Sequence, residues 1–239
     1  MDTATIPILF YGVPEGCSFG SIVALEWLVR PYRLCRVAMP EVVSGAAFRR
    51  LNGVGETPTL LTGDGRLVSQ SLAILNHIGA QASDGRLGHR QGSAEFDRQN
   101  EILAFLNTSF FDAFSPLWHV LEHERPEPER SVLTAHGRTL AARAHGQLEA
   151  MLGGRDWLSG ECPGLADAYF AGIARWADVH GAVDRRDYPG LDSLFARLQE
   201  ESAVRFAHAV EQGAATVGGG GFRGEVSLEE ALAIALKTT

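Results

Sequence analysis

The chain has 239 residues, 45% hydrophobic and 21% charged, with 21 Lys+Arg against 29 Asp+Glu and a formal net charge of −8. That length and balance suit one large or two small globular domains with a core that needs no disulfide or metal staple. The acidic balance argues against nucleic-acid binding, whose footprint is basic, and no run of 18 apolar residues marks a membrane-spanning helix.

Three cysteines, Cys17, Cys35 and Cys162, form no CxxC pair. Free thiols and a reducing, cytoplasmic setting are the simplest expectation. Residues 1–7 carry Asp2 and no basic residue before a short apolar run, unlike the front end of a signal peptide.

Ile6 to Tyr11 reads as a short buried strand, and Gly and Pro between Gly12 and Gly16 break it. From Ser18 to Arg30 the apolar residues recur with helical spacing until Pro31 stops them. Tyr32 to Met39 reads as a second strand, and 45–51 as a short helix. Thr59–Thr62 and Arg66–Val68 flank Gly63-Asp64-Gly65, a hairpin signal. Gln70 to Ala80 is helical. A strand-helix-strand crossover favours parallel pairing, and a hairpin is antiparallel, so a mixed four-stranded sheet with helices on its faces is predicted.

The segment 83–92 is polar and Gly-rich. Beyond it, 94–121, 131–152, 164–180 and 191–211 show helical periodicity and no convincing strand. Gly213 to Gly224, with four consecutive glycines, reads as a flexible tether. Ser227-Leu-Glu-Glu230 is a capping box that opens a short apolar helix to about Leu236.

Three features converge at one edge of such a sheet. Pro14-Glu-Gly-Cys17-Ser18 places a thiol and a hydroxyl at a helix N-terminus, where the dipole favours an anion and lowers a thiol pKa. Glu56-Thr57-Pro58 precedes a strand. A cis proline there leaves the backbone before it open to an extended peptide. Ser69-Gln70-Ser71 begins a helix, where N–H groups, a hydroxyl and an amide make a carboxylate site. Each also has a plain structural explanation: Ser18 or Ser69 as a helix cap, Cys17 as a small filler, Pro58 as a trans residue opening an edge strand.

Taken together, these motifs resemble those of the cytosolic glutathione S-transferases, over about residues 6–212. The similarity is to the bacterial, beta-like branch. It rests on Pro14-x-x-Cys17-Ser18, Leu51-Asn52-x-x-Gly55-x-x-Pro58-x-Leu60 and Asp64-Gly65-x-x-x-x-Gln70-Ser71-x-Ala73-Ile74. In the second half it rests on Phe114-Ser-Pro-Leu117, Trp157-Leu-x-Gly160, Ala166-Asp167-Ala168-Tyr169 and Arg175-Trp176. The resemblance implies a thioredoxin-like, glutathione-binding domain over 1–82, a linker over 83–93 and an all-α domain over 94–212, usually in a homodimer. The tether and short helix would occupy 213–239.

By that resemblance Thr57, beside Pro58, pairs its backbone with the cysteinyl unit of glutathione, and Gln70 and Ser71 hold the γ-glutamyl end. Cys17 or Ser18 acts at the thiol, and Tyr11 is the third hydroxyl or thiol nearby. Glutathione is the co-substrate, a small hydrophobic electrophile the partner, and no metal is expected. Two other readings stand: a glutathione-dependent thiol–disulfide oxidoreductase using Cys17, or a non-catalytic binding protein on the same fold. Phe111 and Asp112 stand where the branch often carries His and Lys. Asp167 reads as a structural helix-start carboxylate. His119 and His123, four apart, read as a solvated helix face rather than a metal site.

Overall fold

A computed structural model describes residues 6–39, 42–43, 45–82, 85–214 and 217–238, with 236–238 as backbone only. The first five residues, and Ser83 and Asp84 at the start of the expected linker, lie outside the described residues. The chain divides into two compact units, Met1–His89 with Glu200–Thr239, and Arg90–Gln199.

The first unit opens β1 (Ile8–Val13), α1 (Phe19–Leu28), β2 (Tyr32–Ala38), α2 (Ala46–Arg49), β3 (Thr59–Leu61), β4 (Leu67–Ser69) and α3 (Ser71–Gly79). β1 and β2 are parallel, with Phe10 beside Cys35 and Tyr11 beside Arg36. β3 runs antiparallel to both β1 and β4. The crossover and the hairpin therefore pair as their connections require.

The sheet has five strands rather than four, in the order β4-β3-β1-β2-β5. The fifth, β5 (Phe222–Glu225), comes from the segment read as a tether and pairs parallel with β2. Phe-Arg-Gly-Glu carries one large apolar residue, so no alternation announces a strand. It forms because β2 offers an open edge: Tyr32 N–H donates to the Gly221 carbonyl at 3.1 Å, and Val226 N–H to the Leu34 carbonyl at 2.8 Å.

The glycine run is a docking seam. The buried carboxylate of Glu26 in α1 accepts from the Tyr32 hydroxyl at 2.5 Å and from Gly219 N–H at 2.5 Å. A Cβ on Gly218 would lie 2.7 Å from Glu26 Oε1, and one on Gly221 2.6 Å from the Arg30 carbonyl. Side chains would hold this segment off; glycine lets the backbone itself meet the carboxylate.

The final helix, α11 (Leu228–Thr238), follows. Its Ala231 and Ala235 join a cluster with Ile8 and Phe10 of β1, Cys35 and Val37 of β2, and Phe48 of α2. The period of two along each strand puts those residues on one face. Burying α11 there gives its apolar stripe the partner that an amphipathic helix needs.

All the regular elements of the unit Arg90–Gln199 are helices. It holds α4 (Ala94–Phe105), α5 (Ser115–Glu122), α6 (Glu127–Leu152), α7 (Leu165–Ile173), α8 (Trp176–Val179) and all but the last residue of α9 (Pro189–Glu200). The run expected over 94–121 is broken by a π turn at Leu106–Phe110 and a 3-10 turn at Asp112–Phe114. Asn107 in the π turn accepts from the Tyr169 hydroxyl at 3.0 Å. Asp167 is wholly buried and accepts from the N–H groups of Leu158, Ser159 and Gly164 at 2.8, 3.2 and 2.9 Å. It ties the loop before α7 to that helix.

The run expected over 191–211 is two helices, because Glu201 turns extended between α9 and α10 (Ser202–Glu211). One extended residue does not disturb apolar spacing on either side, so the break is silent in the periodicity. α10 groups with the first unit, where the His208 ring meets Phe19 of α1 at 4.8 Å.

Two predictions follow from these buried groups. Glu26→Ala leaves the Tyr32 hydroxyl and Gly219 N–H without their acceptor, which should cost about 2–4 kcal/mol in chemical denaturation. It should also expose residues 217–221 to limited proteolysis; an uncleaved, equally stable variant would contradict the seam. In the second unit, His145 packs against Phe110 at 4.7 Å and Tyr188 at 5.2 Å, and its Nδ1–H donates to the Ala141 carbonyl. Burial holds its pKa down, from 6.5 to about 4. The ring is neutral when folded and takes up a proton more readily when unfolded. Stability should therefore fall as pH drops from 6.5 toward 4, and His145→Gln should flatten that slope in unfolding curves measured across the window.

Candidate active site

The site is built where β1 runs out. Gly12 N–H donates to Ser18 Oγ at 2.9 Å, closing the loop from Val13 to Cys17. A Cβ on Gly16 would strike the Gly12 carbonyl. Glu15 takes a positive φ of 50°, and the Val13–Pro14 peptide is cis. The loop thus folds back tightly and delivers Cys17 at the head of α1.

Cys17 then faces two other segments. Its thiol donates to the Thr57 carbonyl at 3.4 Å, and the Ser71 hydroxyl hydrogen-bonds the same sulfur. Thr57 sits just past the ladder, which ends with Thr59 opposite Phe10, and its bond to Pro58 is cis. Ser71 is buried at the first position of α3. Gln70 before it is exposed, with φ 74°. Gln70 therefore occupies the cap position that Ser69 was expected to hold, and no side chain caps the helix.

Burial pushes the Cys17 thiol up, to about 11. The Ser71 hydrogen bond pulls the other way, while the carboxylates of Glu56 and Glu211 add to the rise. Burial of the sulfur therefore works against the lowering expected at a helix N-terminus and favours the protonated thiol.

Ser18 stands at the N-cap position of α1. It is wholly buried, accepts from Gly12 N–H and makes no side-chain cap to α1. Tyr11 is also buried, and its hydroxyl donates to Glu225 Oε1 at 2.7 Å. Burial, and next the Glu225 hydrogen bond, raise its pKa above the ordinary phenol range. Cys17, Thr57, Pro58, Gln70 and Ser71 thus lie along one edge, with Ser18 beneath it and Tyr11 engaged elsewhere.

Other hydrogen bonds and close contacts support this edge. Asn52 is buried and donates to the Glu56 carbonyl at 2.8 Å and Thr59 Oγ1 at 3.1 Å, while accepting from Val54 N–H. It shapes the loop that presents Thr57. Thr57 Oγ1 donates to Met39 Sδ at 3.2 Å. A Cβ on Gly12 would collide with that hydroxyl and lie 2.6 Å from the sulfur.

In the second unit, Phe111 packs edge-on to Trp176 at 4.9 Å, and Asp112 accepts from the Ser115 hydroxyl at 3.0 Å. The His119 and His123 rings stack at 4.6 Å. Among the described residues no three His, Cys, Asp or Glu side chains gather as metal ligands.

Residues 113–201 match the family model "Glutathione S-transferase, C-terminal domain". A glutathione S-transferase of Xanthomonas campestris pv. campestris is 29% identical over 201 residues, covering 84% of this chain and 97% of that protein. A bacterial beta class glutathione S-transferase of Sphingomonas chungbukensis superposes with a TM-score of 0.72 at 25% identity, covering 85% of this chain and 98% of its own. The chain is similar to glutathione S-transferases along most of its length. Its architecture is the glutathione S-transferase one, a thioredoxin-like unit with a helical unit. A sphingomonad glutathione S-transferase solved in complex with glutathione superposes with a TM-score of 0.73 at 26% identity over 86% of this chain and 98% of that one.

The thiol state gives a direct prediction. Alkylation of Cys17 by iodoacetamide, followed peptide by peptide in a mass spectrometer, should be slow at pH 7 and rise to a midpoint near 11. A midpoint below about 8.5, the free-cysteine value, would contradict the burial argument.

Proposed function

We propose that the protein is a glutathione transferase that adds the thiolate of glutathione to a small hydrophobic electrophile. The observation that carries the reading is the convergence of Cys17, the Thr57 backbone and Ser71 on one edge. Thr57 stands beyond the end of a strand ladder, in the position to extend a peptide ligand by backbone pairing. Gln70 and Ser71 open α3, whose first N–H groups favour a carboxylate such as that of the γ-glutamyl end. The relative solved with glutathione supports the choice of ligand.

Cys17, protonated, serves as a hydrogen-bond donor toward the glutathione sulfur. A donor there stabilises the thiolate over the thiol and raises its fraction at neutral pH. The glutathione sulfur then forms a C–S bond with the electrophilic carbon. The leaving group departs with the bonding pair, and the thiol proton passes to solvent. The raised thiol pKa weighs against the oxidoreductase alternative, because the thiolate is the nucleophile in disulfide exchange.

The test is calorimetry with glutathione beside conjugation assays with a model aryl halide. Wild type should bind glutathione. Ser71→Ala should weaken binding about tenfold, the equivalent of about 1.4 kcal/mol. Cys17→Ala should keep binding but conjugate about 10–100-fold more slowly. A wild-type protein that does not bind glutathione would sink the proposal, and full activity in Cys17→Ala would move the donor elsewhere.

A further inference from the structure

The segment after α10 has no place in the chemistry above, yet it reaches the site unit through a continuous set of hydrogen bonds. Glu225 of β5 accepts from the Tyr11 hydroxyl at 2.7 Å. Arg36 Nη1 donates to the same Tyr11 oxygen at 3.4 Å and to the Val210 carbonyl at 3.1 Å. Arg36 Nη2 donates to the Glu211 carbonyl at 2.8 Å. A guanidinium on the last carbonyls of a helix satisfies groups that have no intrahelical partner and suits the negative end of the dipole.

The end of α10 held in this way belongs to a helix that packs against α1, at whose head Cys17 stands. Phe19, two residues beyond Cys17, packs its ring against His208 at 4.8 Å. The Glu211 carboxylate acts electrostatically on the Cys17 thiol. We propose that Glu225 is a positioning residue for the Cys17 site, acting through Tyr11 and Arg36 to fix the C-terminal end of α10.

The arrangement explains why Tyr11 is buried as a polar residue on β1. Its hydroxyl is the joint between a β5 carboxylate and a β2 guanidinium, and each would lose a partner without it. The glycine seam on Glu26 and the Val226–Leu34 hydrogen bond hold β5 in the register that brings Glu225 to Tyr11. The proposal concerns the same cysteine as the transferase reading. Its readout needs no glutathione, so either can fail alone.

The test uses the full chain and four variants: Tyr11→Phe, Glu225→Ala, Glu225→Gln and the Tyr11→Phe/Glu225→Ala double. Peptide-resolved alkylation of Cys17 at one pH gives the rate, and limited proteolysis at 217–221 reports whether the arm stays docked. Tyr11→Phe and Glu225→Ala should each speed alkylation about threefold or more, because the end of α10 is no longer fixed and the Glu211 carboxylate, which disfavours the thiolate, can move away. The double variant should be no faster than the singles, as members of one network behave. Glu225→Gln keeps an oxygen acceptor for Tyr11 and should react at the wild-type rate. Unchanged or slower alkylation in the first two variants, additive effects in the double, or Glu225→Gln behaving as Glu225→Ala would overturn the proposal. So would a faster rate seen only in variants whose arm is cleaved.

Discussion

The site depends on the absence of a side chain at Gly12. At the end of β1 the backbone passes so close to Thr57 and Met39 that a Cβ would overlap the Thr57 hydroxyl. That approach brings the loop to Cys17 against the loop to Pro58, and lets the Cys17 thiol reach the Thr57 carbonyl. Ser18 secures it from the other side by taking the Gly12 N–H. A larger residue at position 12 would part the two loops and leave the thiol facing solvent or apolar surface instead of an acceptor.

The strand and helix order of the first 80 residues is legible because local signals agree. Apolar runs of strand length, a Gly-Asp-Gly turn and a Pro stop mark each boundary without tertiary help. The edge that carries Cys17, Thr57, Gln70 and Ser71 is legible for the same reason: each residue stands at an element boundary. The state of the thiol is not. A helix N-terminus can be read from spacing, but the burial that opposes it depends on what three separate segments place over the sulfur. Ser18 shows the same limit, since its partner Gly12 is known only once the loop closes.

The C-terminal arm fails to announce itself for a different reason. Four glycines in a row have the composition of a linker, and Phe222-Arg-Gly-Glu225 lacks alternation. Both gain structure only from what they meet: Glu26 and Tyr32 for the glycines, and the open edge of β2 for the strand. An unpaired edge invites pairing with other chains, and here the protein fills one with its own sequence. The small residues Ala231 and Ala235 then let α11 sit close on the sheet beneath.

That seam ties together parts of the chain that emerge far apart in the order of synthesis. Glu26 and Gly219 stand 193 positions apart, and Tyr11 and Glu225 stand 214 apart. A ribosome delivers α1, β1 and β2 first, followed by an entire helical unit, before the strand that closes the sheet emerges. Until then β2 has a bare edge, the Glu26 carboxylate lacks the Gly219 donor, and the apolar face later covered by α11 is open. Such long-range closure is entropically late. The nascent first unit is therefore the stage of this protein's life most exposed to aggregation, and the one at which a holding chaperone has the most surface to grip.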